Sequence, residues 1–270
     1  MIEATVGILT FNSAKSLNNC LNSVKNFREI LILDGGSTDQ TLNIAKKYNC
    51  KIKRQPQKFK FKNNKIKDFS KLKDLILKLS NNDLVLFLDS DEILNKSVLK
   101  KIIFYSKSKI SKKKYYSFLL GRFPIFKNKT ITQKTILYPN FQERLVYKSN
   151  VKNFVKKVHE KPLPKNKNLI SKKIPNQSII FPIDLNKQNL YKKYNYYYQI
   201  ERKSISNGLF FRGLQFIIYR LLVISKHILQ NFFLNSKNID NDYRKFEQEH
   251  IKLNLYFSLK LLINLFIRKL

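Results

Sequence analysis

Short apolar runs alternate with amphipathic stretches along the first third of the chain. Val6 to Thr10 is largely apolar and is followed by Asn12 and Ser13, residues that suit a helix start. Leu17, Cys20, Leu21, Val24 and Phe27 then recur at the spacing of one buried helical face, with Lys15, Asn18 and Lys25 opposite. This predicts a strand, a turn and a helix. Ile30 to Leu33 is a second buried strand, ending in Asp34, Gly35 and Gly36. Ser37 and Gln40 have the spacing of a capping box, which opens a helix through Leu42, Ala45 and Tyr48. A third strand is expected at Lys51 to Arg54, a basic loop at Gln55 to Lys67, a helix at Phe69 to Leu79 and a fourth strand at Leu84 to Leu88.

Strands alternating with helices at this spacing predict a parallel sheet, whose ligand site lies beyond the carboxyl ends of its strands. Three polar clusters fall at such ends: Thr10 to Asn12, Asp34 to Asp39, and Asp89 to Glu92. From Tyr115 the pattern becomes irregular, with shorter strands expected at Tyr116 to Leu120 and Glu143 to Tyr147. Beyond Leu185 it is helical again, with a long apolar stretch from Leu209 to Leu234 interrupted by Arg212, Arg220, Lys226 and His227. The expected divisions are 1–114, 115–185 and 186–270.

Charge changes the picture more than composition does. Lys and Arg total 53 against 18 Asp and Glu, a formal net charge of +35. An anionic counterpart is expected: nucleic acid, lipid headgroups or a phosphorylated substrate. Codon drift in an AT-rich genome is the competing explanation, under which the lysines are solvated surface. Cys20 and Cys50 do not form a Cys-X-X-Cys pair, so neither a disulfide framework nor a thiolate zinc site is indicated. Strand-like sequence from Thr5 leaves no room for a signal core, which fits a protein that is not exported.

Asp89 and Asp91 follow an apolar strand two residues apart, a spacing that projects both side chains to one side. Mg²⁺ and Mn²⁺ commonly take one or two carboxylates plus substrate phosphates, so the pair suits a divalent metal bridging to a diphosphate. An Asp-X-Asp alone is a common strand-end feature. In company it is more specific. Thr10-Phe11-Asn12, Asp34-Gly35-Gly36-Ser37-Thr38-Asp39 and Leu88-Asp89-Ser90-Asp91 together resemble, in order and spacing, the nucleotide and metal motifs of family 2 glycosyltransferases. The second half, with Leu119-Leu120-Gly121-Arg122, Arg144-Leu145 and Val158-His159-Glu160, is similar to the branch containing lipopolysaccharide-core β-1,4-glucosyltransferases.

The resemblance implies a GT-A fold, an α/β architecture with a Rossmann-like, mostly parallel sheet flanked by helices, followed here by a C-terminal helical extension. It implies a nucleotide-sugar-binding half in 1–114, with Thr10, Asn12, Asp34, Asp39, Lys73 and Asp89 at the donor, Asp34 on the base, and Asp91 with Asp89 on the metal. It implies an acceptor-binding half in 115–185, with Arg122, Arg144 and His159 meeting acceptor or phosphate. Lys73 and Asp74 stand where the family often carries Arg-Asn, which keeps the cation but loses its fork. Glu160 is the candidate general base, since an inverting transfer needs a carboxylate to take the proton of the acceptor hydroxyl. The implied reaction moves a sugar, a hexose from a UDP-linked donor, to a glycan or glycolipid in lipopolysaccharide or another cell-surface polysaccharide.

In the C-terminal extension, Phe210, Leu214, Ile217, Leu221, Ile224, Ile228 and Phe232 lie near one helical face among cations. The tail Tyr256 to Leu270 repeats the theme with Lys260, Arg268 and Lys269. An amphipathic segment in peripheral contact with an anionic membrane fits this pattern, at the inner face of the cytoplasmic membrane; helices packed on the catalytic domain are the alternative. Rival functions are a nucleotidyltransferase, which would carry a Gly-rich phosphate loop that Gly7 alone does not supply, a basic nucleic-acid-binding protein, and a catalytically inactive sugar-binding relative. Cations spread along the chain rather than gathered on one motif argue against a specific nucleic-acid site.

Overall fold

The computed structural model describes residues 1–127, 129–131, 135, 138, 140–205, 210–233 and 240–267. The chain divides into two compact units, Met1–Thr132 with Pro139–Pro182, and Gln133–Tyr138 with Ile183–Leu270. In chain order the first unit contains β1 (Ile2–Thr10), α1 (Ala14–Val24), β2 (Phe27–Asp34), α2 (Thr41–Lys47), β3 (Lys51–Arg54), α3 (Phe69–Leu79), β4 (Leu84–Asp89), β5 (Ile93–Leu94), α4 (Lys96–Lys107) and α5 (Lys109–Lys114). It continues with β6 (Tyr115–Phe126), β7 (Lys129–Thr130), β8 (Asn140–Tyr147), β9 (Val151–Val155), β10 (Lys161–Pro164) and β11 (Ile170–Pro182).

The large sheet runs β3-β2-β1-β4-β8-β6-β11-β5, with β7 on β6, while β9 and β10 form a separate hairpin. β1 is parallel to β2 and β4, β2 to β3, and β11 to β6; β8 runs antiparallel between β4 and β6. This is the expected α/β architecture. Alternate residues of the parallel strands feed two cores. Val6, Ile8, Ile30, Ile32, Leu86 and Leu88 pack with Leu17, Cys20, Leu21 and Val24 of α1 and with Val98 and Ile102 of α4. Leu31, Leu33, Val85 and Phe87 pack with Leu72, Ile76 and Leu77 of α3 and with Phe154 of β9. A sheet covered on both faces needs continuous apolar runs, which is why these strands do not alternate in sequence.

Three expectations are corrected. Phe27, expected on the buried face of the first helix, opens β2 instead, because α1 ends at Val24. The capping box at Ser37 and Gln40 does not form: α2 starts at Thr41, and Gln40 makes no side-chain cap. Asp39 supplies the cap instead, accepting from the Thr41 amide at 3.0 Å. The half after Tyr115 is more regular than its sequence pattern indicates, because β6 runs on through Gly121, Arg122 and Pro124 to Phe126 and pairs with the long β11. From Ser117 on, two of every three residues of β6 are buried, and that rhythm matches neither the two-residue alternation of a half-buried strand nor the spacing of a helical face.

The second unit is built on α6 (Lys187–Ile205), α7 (Phe210–Phe233) and α8 (Asn241–Ile267). Tyr194, Tyr198, Ile217, Ile224, Phe257 and Leu261 are buried among them. Arg220 donates to Glu201 at 2.7 Å and to Asn254 at 2.9 Å, which ties the three helices through one part-buried guanidinium. Among the described side chains of the α7 face singled out above, Ile217 and Ile224 are buried, Leu214 and Leu221 half-buried, and Ile228 is exposed. Leu209, Leu234, Arg268, Lys269 and Leu270 lie outside the described residues, as do the side chains of Phe210, Arg212 and Phe232.

Candidate active site

Strand register brings the three polar clusters to one edge of the sheet. Thr10 is paired with Asp34, Asp34 with Arg54, and Leu9 with Asp89. Asp34 is buried and its carboxylate is fully engaged. Oδ1 accepts from the Thr10 and Ser37 hydroxyls at 2.9 and 2.6 Å, and Oδ2 from the Gly36 and Ser37 amides at 2.7 and 2.8 Å. Burial by itself raises this carboxyl; the hydrogen bonds from Ser37, Gly36 and Thr10 outweigh it and hold the group below the usual carboxylate range. Gly36, at φ +97, permits the turn that aims these amides inward.

Asn12, at φ +50, joins the β1 turn to the β2 loop. Its amide donates to the Ser37 hydroxyl at 2.9 Å, and its Oδ1 accepts from the Thr38 amide at 2.9 Å. Asp39 accepts from the Ala14 amide at 3.1 Å as well as from Thr41, so one exposed carboxylate pins the starts of α1 and α2. The Thr41 hydroxyl and these amides hold it below the usual range. Asp34 and Asp39, two of the three acids named for donor binding, therefore shape the turns of the site.

The end of β4 carries the densest electrostatics. Arg144 grips Asp89 bidentately, Nη1 to Oδ1 at 3.1 Å and Nη2 to Oδ2 at 2.9 Å. Glu92, fully buried, accepts from the Asp89 amide at 2.9 Å, from Arg144 at 3.2 Å and from Arg122 Nε at 2.5 Å. Desolvation opposes ionisation of Asp89, and the Arg144 guanidinium, helped by Arg122 and Lys73, outweighs it and holds the carboxyl far below its ordinary value. Arg122 and Arg144, expected at acceptor or phosphate, are thus turned onto the acidic cluster. Ser90 donates to the Ser13 hydroxyl at 2.9 Å and ties this cluster to the β1 turn.

Lys73, expected at the diphosphate, is buried on α3 with its ammonium 5.4 Å from the ring centres of both Phe87 and Phe154. It lies 3.6 Å from Glu160 Oε1. Burial lowers the Lys73 pKa and Arg144 adds to this, while Glu160 and Asp89 pull the other way. The neighbouring Asp74 accepts from the Phe154 amide at 2.6 Å, and the Phe69 amide donates to the Lys157 carbonyl at 3.0 Å. These contacts clamp the β9–β10 hairpin, with Glu160 at its turn, onto α3. His159 is exposed beside it at φ +54.

Among the described residues no group of three or more His, Cys, Asp or Glu is arranged to hold a metal ion. The donor set suits the sparser mode of nucleotide-bound Mg²⁺ or Mn²⁺, one or two carboxylates plus phosphates. Asp91 is exposed at the tip of the loop, whereas both oxygens of Asp89 already face Arg144.

Glu92, Gln55 and Lys60 carry no site role in the sequence pattern, and Phe11 only as a member of the Thr10-Phe11-Asn12 motif. Glu92 stands inside the named cluster without an assigned role. Gln55 is buried and donates to the carbonyls of Thr10 and Leu33 at 3.3 and 2.9 Å. Lys60, buried in the basic loop, donates to the Gly35 carbonyl at 2.7 Å. Phe11 leaves an exposed ring against Gly35, where a Cβ would stand 3.1 Å from Phe11 Cδ2. The only sequence signals are the Glu adjoining Asp-X-Asp and the Gln closing β3.

Residues 5–170 match the family model described as Glycosyl transferase family 2. The chain is 37% identical to the SPbeta prophage-derived glycosyltransferase SunS of Bacillus subtilis strain 168 over 100 residues, 36% of this chain and 22% of that protein. It is 33% identical to the poly(ribitol-phosphate) beta-N-acetylglucosaminyltransferase TarS of Staphylococcus aureus strain Mu50 over 106 residues, 37% of this chain and 18% of that one. The match spans about a fifth of the length of these relatives. Among solved structures, S. aureus TarS 1–349 aligns over 96% of this chain and 81% of that chain, at 16% identity and a TM-score of 0.47.

Proposed function

The chain belongs to glycosyl transferase family 2, and on that premise we propose that it transfers a sugar from a nucleotide-sugar donor with inversion at the anomeric carbon. The donor in this reading is a UDP-linked hexose. The acceptor is a hydroxyl of a glycan or glycolipid in lipopolysaccharide or another cell-surface polysaccharide, met at the inner face of the cytoplasmic membrane. The observation that carries the reading is the seating of Glu160 on Lys73, a lysine that also feels the charge of Asp89. The proton acceptor thereby sits on a cation that also interacts electrostatically with the acidic end of β4.

The exposed Phe11 ring on Gly35 offers an apolar surface to a nucleobase, and Asp34, Asn12 and Asp39 keep that turn in place. Asp91 would hold Mg²⁺ or Mn²⁺ together with the donor diphosphate, and a bound ion offsets negative charge on the leaving group. Arg144 and Glu92 fix Asp89 and thus the loop that carries Asp91. Glu160 takes the proton of the acceptor hydroxyl as its oxygen bonds to the anomeric carbon. The bond from that carbon to the diphosphate oxygen breaks, and its electron pair leaves with the nucleoside diphosphate. In this reading His159, exposed next to Glu160, meets the acceptor. An acceptor bearing phosphates, as the name of the Staphylococcus relative describes, is complementary to the net charge of +35.

The test is a screen of UDP-linked hexoses with Mg²⁺ or Mn²⁺, followed by Glu160→Gln. The variant is expected to lose about 10²–10⁴-fold in transfer rate and to keep UDP binding by calorimetry. A normally active variant, or a product that retains the donor's anomeric configuration, overturns the assignment.

A further inference from the structure

Helices α7 and α8 each carry a second apolar stripe that their packing leaves uncovered. On α7 the buried positions are Ile217 and Ile224, yet Ile218, Leu222 and Leu229 are 49%, 65% and 59% exposed. Their spacing of four and seven places them on one face, away from the buried pair. On α8, Tyr256, Leu259, Ile263 and Phe266 are 43–57% exposed on the side opposite buried Phe257, Leu261 and Leu265. A helix that is apolar on two faces belongs to a medium apolar on both, either a larger core or a lipid boundary.

Charge decides between them. The whole of α7, Phe210–Phe233, contains no Asp or Glu, and α8 contains none after Glu249. Exposed Lys226 borders the α7 stripe, and exposed Lys245 and Lys252 lead into the α8 stripe along the same face. A second copy of this chain would bring like charge against like charge, whereas an anionic headgroup layer satisfies both the cations and the apolar side chains between them.

We propose that the stripes Ile218-Leu222-Leu229 of α7 and Tyr256-Leu259-Ile263-Phe266 of α8 are the surface by which this protein lies on an anionic lipid bilayer. The occupant is the interfacial region of the leaflet, with the helices in its plane and their cations among the headgroups. The inference deepens the proposed glycolipid reading by giving the enzyme a lipid-facing surface, distinct from its donor site.

The test is flotation of the full chain with vesicles of pure phosphatidylcholine or of phosphatidylcholine with phosphatidylglycerol. Binding is expected only to the anionic vesicles, with the double variant Leu222→Glu, Ile263→Glu bound about tenfold or more weakly. Since the chain contains no Trp, single Leu222→Trp and Ile263→Trp variants give a second readout: a blue-shifted emission when anionic vesicles are added. No binding, equal binding to neutral vesicles, unshifted emission at both positions, or protein that resists alkaline carbonate extraction overturns the in-plane proposal. Donor hydrolysis without acceptor, followed in parallel, separates these results from the transferase reading: active protein that ignores lipid sinks only the surface, and lipid-binding protein with no donor turnover sinks only the enzyme assignment.

Discussion

Arg144 shows how much of the site rests on single charged groups. Its guanidinium serves Asp89 with two hydrogen bonds and the fully buried Glu92 with a third. Removing it leaves Glu92 with the Arg122 guanidinium and the Asp89 amide, and takes the fork from Asp89. Breaking a buried ion pair on one side costs about 3–5 kcal/mol, so Arg144→Met is expected to lose that much stability in urea denaturation, and Arg144→Lys less because charge remains without the bidentate geometry. A Met variant within about 0.5 kcal/mol of wild type would show that Arg122 carries the network. The sequence pattern assigned Arg144 to acceptor or phosphate, and the structure turns it onto carboxylates of its own chain; an arginine looks the same in sequence whether its partner is a ligand or a carboxylate of the same chain. Lys60 illustrates the converse. Among the lysines of 58–67 nothing local marks the one whose ammonium reaches the Gly35 carbonyl.

At the scale of elements, the fold depends on close approach of α3 to β1. A Cβ on Gly7 would lie 2.4 Å from Ile76 Cγ2, so the helix can sit on this strand only because the side chain is missing. Gly7→Ala is expected to cost about 1–3 kcal/mol through overpacking. Ile76→Ala removes the obstructing atom, and the double variant should lose less than the sum of the two single losses, measured by thermal or urea unfolding. Additive losses would place the strain elsewhere. The position matters for function because α3 holds both Lys73 and Asp74, and through them the hairpin bearing Glu160. The replacement of the family's Arg-Asn by Lys-Asp thus has a local reading: Asp74 anchors Phe154, and Lys73 turns inward to Glu160. Elements were the most legible level. The strands expected at 30–33, 51–54 and 84–88 and the helix at 69–79 fall within β2, β3, β4 and α3, since continuous apolar runs and a one-face periodicity are set by local burial. The capping box was not legible, because whether Ser37 caps a helix depends on its competition for Asp34, which approaches from the preceding strand end.

For the molecule as a whole, the second unit carries its own pH sensitivity. His250 of α8 is largely buried against Tyr194 and Phe246, with Lys193 nearby. Burial, with the Lys193 charge, lowers its pKa from 6.5 to about 4. The folded state therefore disfavours the protonated ring, while the unfolded chain accepts a proton below 6.5. Stability is full above that value and falls as pH descends from 6.5 toward 4, by on the order of 3 kcal/mol at the lower end. Denaturation at pH 7.5 and pH 4.5 should show this loss in wild type and a smaller one in His250→Gln; equal losses would assign the acid sensitivity to other groups. The sequence by itself determined the alternation of strand and helix, the polar clusters at strand ends and the family they spell, because each is written in neighbouring residues. Tertiary structure alone decided that Glu160 meets Lys73, that Arg122 and Arg144 turn onto Glu92 and Asp89, and which face of α7 stays uncovered. Those outcomes depend on residues tens of positions apart being brought within a few ångströms, and no local pattern records which of several similar charges or apolar faces will win the contact.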